Sequence, residues 1–468
     1  MGTPERELSA FIAGLRVDQV PDHAQRVLRR MVMAVAGTGL AGAAEDGVAA
    51  LRELLLEAGG APQATTFVFG DRLPAQAAAQ FNGTLCRALD YCDAMAPGPH
   101  IGAALFSVAM AAAELAGGCT GAEFMAALAA GAETGSRFNL SEAQYDGFDP
   151  TGVAVVFASA AAASRILKLT PEQTLHALAL AFNRCGGSFQ SHVDGSLGVR
   201  IVQGWVAEAG VQCARLAEHG ITGPENFLAG HYGYAHLFGR GTLEPKAVVS
   251  RLGDDWKLRN VVFKKYPSCG VTQGVTELAL GMAADLDLRP EDIRDVEIRL
   301  PPYAHRLVGH AFHIGANPRV DAQFSAAYCV ASALIRRSSR LHNFAPAEVR
   351  DPIVRAMIRR IRVVADPSLD ARGHTAVDLK IVANDGREHR TSLDTAPGFP
   401  GADLDDAQHL SRFADCLDYS PHPPSPTQAA SLLAALQDLA GMPDVRELVA
   451  LLQTVSDTGS GRTFVADP

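Results

Sequence analysis

Apolar positions recur every three to four residues through much of the first 240 positions, the spacing of a single buried helical face. That period predicts helices over Asp22–Thr38, Val48–Ala58, Ala75–Asp90, Ile101–Ala116, Val153–Leu167 and Leu197–His219. Three more carry a polar cap and a Glu or Gln three residues later, the spacing of a capping box. These are Thr120 with Glu123 before Phe124–Phe138, Thr170 with Gln173 before Thr174–Cys185, and Ser425 with Gln428 before Ala429–Ala440. A last helix is expected over Asp444–Thr454. From about Pro267 to Leu393 the period changes. Asp295–Leu300 and Val377–Val382 alternate apolar with polar, Ile361–Val364 is β-branched, and Asn384-Asp385-Gly386 supplies a hairpin turn. Helices over Ala322–Ile335 and Ala347–Ile358 are expected between the strands. The pattern predicts a mainly α fold, with a helical body over 1–266, a smaller α+β unit over 267–398, and a helical return over 399–468.

Composition narrows the function classes. The 468 residues are 48% hydrophobic and 20% charged, enough apolar material for a large core and far from the balance of a disordered chain. A net charge of −10, without a basic block, speaks against a nucleic-acid partner. Eight cysteines with no CxxC read as free thiols in a reducing compartment, and the N-terminus lacks a secretory pattern. A cytoplasmic protein is expected. Ile101–Leu115 is too short and alanine-rich to span a bilayer, so no membrane partner is expected.

No dinucleotide fingerprint, phosphate loop, zinc spacing or nucleophile elbow occurs, so neither a metal nor an organic cofactor is indicated. The candidate chemistry lies instead in polar residues set among small ones. Asp90 and His100 flank a Pro/Gly turn between two helices, and each also has an ordinary reading as a helix-end residue. Tyr145-Asp-Gly-Phe-Asp149-Pro-Thr-Gly152 is a loop leading into a helix that begins near Thr151, and Asp149 also has an ordinary reading as an N-terminal residue favoured by the helix dipole. His192-Val-Asp-Gly-Ser196-Leu-Gly-Val-Arg200 combines free backbone N–H groups with a cation, suited to a carboxylate; a solvated loop fits it equally well. Lys264-Lys265-Tyr-Pro-Ser-Cys269 stands at the junction of the two units, a common place for ligand sites. Tyr328 sits on an apolar helix.

In this order, these stretches resemble the MmgE/PrpD family, which contains 2-methylcitrate dehydratase, cis-aconitate decarboxylase and iminodisuccinate epimerase. The resemblance rests on Asn82-Gly83 with Leu89-Asp90 and His100, Gly147–Gly152, Gly220–Glu225 with Gly230–Gly233, Lys264–Pro267, and Ala322–Ser325 with Tyr328. It implies an all-helical domain built from both termini, an inserted α+β lid, a homodimer, and a cofactor-free active site in the cleft between domain and lid. It also implies a small di- or tricarboxylate substrate and active-site positions at Asp90, His100, Lys264 and Tyr328. The chain departs from the family pattern at four places. Histidine is usual at Asp149, lysine at Arg200 and often histidine near Cys269, while Asp-Asp-Thr is common where this chain has Cys92-Asp93-Ala94.

Removing a proton α to a carboxylate needs a base and cationic stabilisation of the resulting charge. Lys264 is the expected base, with Tyr145 as proton donor on the opposite face. Arg200, Ser196, Asp149, Lys265, Cys269 and Tyr328 would bind substrate. With no histidine at position 149, the leading expectation is an epimerase acting on a carboxylate-flanked carbon, of the iminodisuccinate kind. The alternative is a lyase, either a methylcitrate-type dehydratase or a cis-aconitate-type decarboxylase.

Overall fold

The structure is a computed structural model that describes residues 2–286 and 289–455. The expected segments at Met1 and beyond Val455 lie outside these residues. Helices Ala75–Arg87, Gly102–Leu115, Gly121–Arg137, Pro150–Ile166 and Gly198–Glu218 pack side by side as the centre of a helical body. Gly102–Leu115 and Pro150–Ile166 are buried on almost every side, which is why their sequences are apolar all round rather than striped. Small residues set the helix spacing. A Cβ at Gly204 would lie 2.4 Å from the Gln80 carbonyl, and one at Gly83 would lie 2.9 Å from the Gln203 carbonyl. The stretch 22–44 is long and apolar enough to cross a membrane, but 78% of its apolar window is buried in the body.

The C-terminal helices return to this body. Asp406–Tyr419 and Pro426–Gln437 pack on Asp22–Ala41, and the turn Leu439–Gly441 packs on Gly121–Arg137. Between them lies a unit with its own apolar core, including Val275, Ile298, Leu334, Leu379 and Ile381. Its sheet has strands β1 (Ile293–Leu300), β2 (Ile361–Ala365), β3 (Val377–Ala383) and β4 (Glu388–Leu393), in the order β2-β1-β3-β4. β1 and β2 are parallel, with Val296 opposite Ile361, and the other pairs are antiparallel. The turn at 384–386 joins β3 to β4, with Gly386 at φ 87°. Helices Gln273–Asp285 and Ala326–Arg336 pack together, and Gln273–Asp285 also packs on β3 and β4.

Several elements differ from the periodicity. The expected helix 322–335 is two helices, Pro318–Gln323 and Ala326–Arg336, because Ser325 breaks the run and caps the second with its hydroxyl on the Tyr328 N–H. Pro352 divides 347–358 in the same way, opening a helix that Asp351 caps by accepting from the Ile353 N–H. The helix expected over 444–454 covers only Glu447–Leu452. The helix expected to reach Asp90 stops at Arg87, and Asp90 takes a left-handed conformation at φ 52°. Asp tolerates that region better than most residues.

Candidate active site

A short strand pairing brings the site together. Residues 93–95 pair antiparallel with 261–263, Asp93 opposite Phe263, which sets Lys264 beside the turn that follows helix Ala75–Arg87. The left-handed backbone at Asp90 turns its carboxylate toward both Arg87 and Lys264. Lys264 Nζ lies 2.7 Å from Asp90 Oδ1 and donates to the Asp90 carbonyl at 2.9 Å. Arg87 donates to the same carboxylate, and all three side chains are buried. Burial alone would push the Asp90 carboxyl up. Arg87 and then Lys264 outweigh it and hold the group far below the usual carboxylate range. Asp90 Oδ2 has no hydrogen-bond partner among the described residues. An ammonium has three donors, so Lys264 has one left after the two it gives Asp90.

Asp93, one turn of chain further on, caps the next helix. Its carboxylate accepts from the N–H groups of Ile101 (3.1 Å) and Gly102 (3.0 Å). Only glycine fits at 102, since a Cβ there would lie 2.2 Å from Asp93 Oδ1. The cap holds His100, whose Nδ1 is 2.7 Å from the Asp93 carbonyl. A carbonyl can only accept, so Nδ1 carries the proton and Nε2 is left with its lone pair. Burial, then Arg87 and Lys264, lower the His100 pKa well below its ordinary value.

Asp149 caps helix Pro150–Ile166, with Oδ1 accepting from Thr151 (2.9 Å) and Gly152 (3.3 Å). Burial pushes its carboxyl up despite those two bonds. Oδ2 takes no part in the cap and lies 3.9 Å from Nδ1 of His192. The His192 ring stacks on Phe189 at 4.4 Å, and burial pushes its pKa down to about 3.

Asp90, His100, Tyr145, Asp149, Lys264 and Cys269 all line one cavity of about 290 Å³ between the helical body and the α+β unit. That is at the small end for ligand sites, roughly 300–1,000 Å³. His192 lines it too, as do Tyr303, Arg306 and His374 from the α+β unit. Asp90 and Asp149 are acidic, His100 and His192 are neutral, and Lys264 is cationic. The wall can therefore take up an anion, accept a proton at an imidazole and donate one from a carboxyl.

The other expected residues lie elsewhere. Arg200 reaches Glu45 at 3.3 Å and donates to the Asp46 carbonyl at 2.7 Å, because residues 155 positions apart meet in the body. Ser196 is exposed, and its hydroxyl donates to Ser191 at 3.3 Å. Lys265 points away from Lys264 and pairs with Glu277 at 2.7 Å. Tyr328 is part of the α+β core, its hydroxyl donating to the Asn343 carbonyl at 2.5 Å. Tyr145 lines the cavity, but its hydroxyl donates to Asn139 (2.7 Å) and accepts from the Leu140 N–H (3.0 Å). With its hydroxyl bonded on both sides and its pKa raised by burial, Tyr145 is poorly set to deliver a proton. Sequence reasoning did not single out Arg87 or Arg306, and it named His192 only as the start of a motif, with no role. Arg87 stands three residues before Asp90, and in the helix expected over Ala75–Asp90 that spacing could have suggested the pair. Arg306 carried no comparable signal.

The N-terminal domain model of the MmgE/PrpD family matches residues 6–246, and its C-terminal domain model matches residues 266–436. A cis-aconitate decarboxylase-like protein of Aspergillus oryzae is 26% identical over 363 residues, 72% of this chain and 75% of that protein. The cis-aconitate decarboxylase of Homo sapiens is 24% identical over 407 residues, covering 83% of this chain and 82% of that protein. That of Aspergillus terreus is 25% identical over 354 residues, 70% and 72% of the two chains.

Proposed function

The chain belongs to the MmgE/PrpD family, and from that premise we propose that it is a lyase that removes carbon dioxide from a small polycarboxylate. The observation that carries this reading is the buried Lys264–Asp90 pair opening onto the same cavity as Asp149, whose carboxyl is raised by burial. When a carboxylate leaves, its bonding electrons pass to the carbon and are shared with a neighbouring carboxylate or alkene. In this reading the remaining donor of Lys264 faces that developing charge, where a fixed cation in a dry site is worth most. Asp149 then delivers a proton to carbon and recovers one from solvent. The cis-aconitate decarboxylases among the relatives support loss of carbon dioxide.

Dehydration is a second reading, favoured by His100. Its unprotonated Nε2 is suited to take an α proton while Asp149 protonates a departing hydroxyl, and the two groups have pKa values pushed in opposite directions. The epimerase expectation loses its second base, because the Tyr145 hydroxyl is occupied. The α+β unit would serve as a lid over the cavity in either reading.

Incubation with cis-aconitate, citrate, 2-methylcitrate and iminodisuccinate in D₂O, followed by proton NMR and carbon dioxide capture, tests the reading. Carbon dioxide with one deuterium on the product carbon is the expected result. Vinyl signals without carbon dioxide would favour dehydration. Interconversion of stereoisomers, with neither alkene nor carbon dioxide, would overturn the lyase reading.

A further inference from the structure

The cavity takes its fixed cations from opposite walls. Among its lining residues only Lys264, from the helical body, and Arg306, from helix Pro302–Val308 of the α+β unit, carry a permanent positive charge. Lys264 gives much of its charge to Asp90. Arg306 forms no ion pair among the described residues, and its guanidinium only approaches the Tyr303 ring, at 5.8 Å. Arg306 also lines a second cavity of about 340 Å³, which shares Phe189, His192, Leu307 and Phe324 with the first. It therefore stands where the two chambers meet. The other arginine suited to a carboxylate, Arg200, is committed to Glu45.

We propose that Arg306 is a specificity-determining residue that binds the carboxylate of the substrate farthest from Lys264, so that the site selects molecules with two or more carboxylates. A guanidinium presents a planar fork of donors that matches a carboxylate. One without an acidic partner need not break a bond to accept it. A single acid held at both ends would bridge the helical body and the α+β unit. This rests on the polycarboxylate reading above and adds which residue counts the carboxylates.

Isothermal titration of the full chain with cis-aconitate, citrate and crotonate, a monocarboxylate, tests it. The unmodified chain is expected to bind the tricarboxylates and discriminate strongly against crotonate. Arg306→Gln is expected to weaken tricarboxylate binding by about 10–100-fold, the range for losing a charge-assisted bond, and to leave crotonate binding within about twofold. Arg306→Lys should recover part of the loss, and Arg359→Gln, on the exposed surface, should change nothing. Turnover should show a raised KM with kcat little altered, since the bond is made in ground and transition states alike. Tight tricarboxylate binding by the unmodified chain with no change in Arg306→Gln overturns this inference alone. No tricarboxylate binding by the unmodified chain overturns the polycarboxylate reading as well.

Discussion

The two walls of the cavity are built differently. On the helical side, the polar groups are buried and anchored. Lys264 is held by Asp90, Asp90 by Arg87, His100 by the Asp93 carbonyl, and Asp149 by the helix it caps. On the α+β side they are more open. Arg306 has no acidic partner among the described residues, and His374 pairs with Glu142 across the cleft at 2.8 Å. Buried, hydrogen-bonded groups keep a fixed geometry and shifted pKa values, as proton transfer requires. A cation that is neither buried nor paired can meet a ligand without first losing a partner. The difference separates two kinds of mutational effect. Changes to the charged groups of the helical wall should alter chemistry, and stability as well where a buried ion pair is broken, whereas changes on the other wall should alter binding alone.

Lys264→Ala probes the contrast most severely. It leaves Arg87 and Asp90 buried without their third member, and breaking a buried ion pair costs about 3–5 kcal/mol. It should also lower kcat/KM by roughly 10²–10⁴-fold, and urea unfolding with steady-state kinetics reads both. If the combined Lys264→Ala, Asp90→Asn protein recovers stability but not turnover, the two roles of the pair are separated. Asp149→Asn comes next. Asparagine caps helices about as well as aspartate, so stability should stay within about 0.5 kcal/mol. Loss of the acid should slow turnover by roughly 10²–10⁴-fold. An Asp149→Asn protein with normal turnover would return that residue to a purely structural role.

A pH titration of stability sharpens the contrast. His409 is buried and His100 and His192 are partly buried, and all three have lowered pKa values, His192 and His409 at about 3. In the unfolded chain they protonate near pH 6.5. Between those limits the unfolded state binds more protons, so stability is lost as pH falls below about 6.5, by up to roughly 1.4 kcal/mol per pH unit for each imidazole. Asp149 works the other way. Its raised carboxyl stabilises the folded state at low pH, and that contribution fades as pH rises through its folded value. Asp90, held low, adds stability above about pH 4 that is lost as pH falls through its lowered folded value. The imidazoles dominate between pH 7 and 5, so Tm should fall over that range, and His192→Phe should flatten the slope. The smallest effect is expected from Tyr145→Phe. Two hydrogen bonds are lost, costing about 1–2 kcal/mol, while turnover should stay within about threefold. A large loss of turnover would restore the tyrosine as a proton donor.

Local signals in the chain were legible wherever local physics decides. The Thr120–Glu123 and Thr170–Gln173 boxes both form, each with reciprocal bonds. At Ser425 only half of the box forms. The Ser425 hydroxyl accepts from the Gln428 N–H, but the Gln428 side chain instead holds the carbonyls of Leu451 and Gln453. Asp90, His100, Asp149, Lys264 and Cys269 could be picked out because each is a polar residue at a turn in apolar surroundings. Arg200 could not be placed correctly, since its partner Glu45 lies far away in sequence and nothing local marks the pair. Lys264 and Lys265 are neighbours of one type whose side chains diverge, one into the cavity and one toward Glu277. Periodicity of residue types cannot show which lysine faces inward.

The return of the C-terminal helices to the body has a consequence for synthesis. Helix Asp22–Ala41 finishes its packing only against Asp406–Tyr419, where Gly37 meets Phe413 and Cys416. The two segments are separated by more than 360 residues. At about 5–20 residues per second on the ribosome, the apolar face of the first segment waits roughly twenty seconds to over a minute for its partner. The nascent chain is therefore a natural client for a chaperone that shields that face. Slowing elongation downstream of residue 41 should lower the yield of folded protein without changing the stability of what folds.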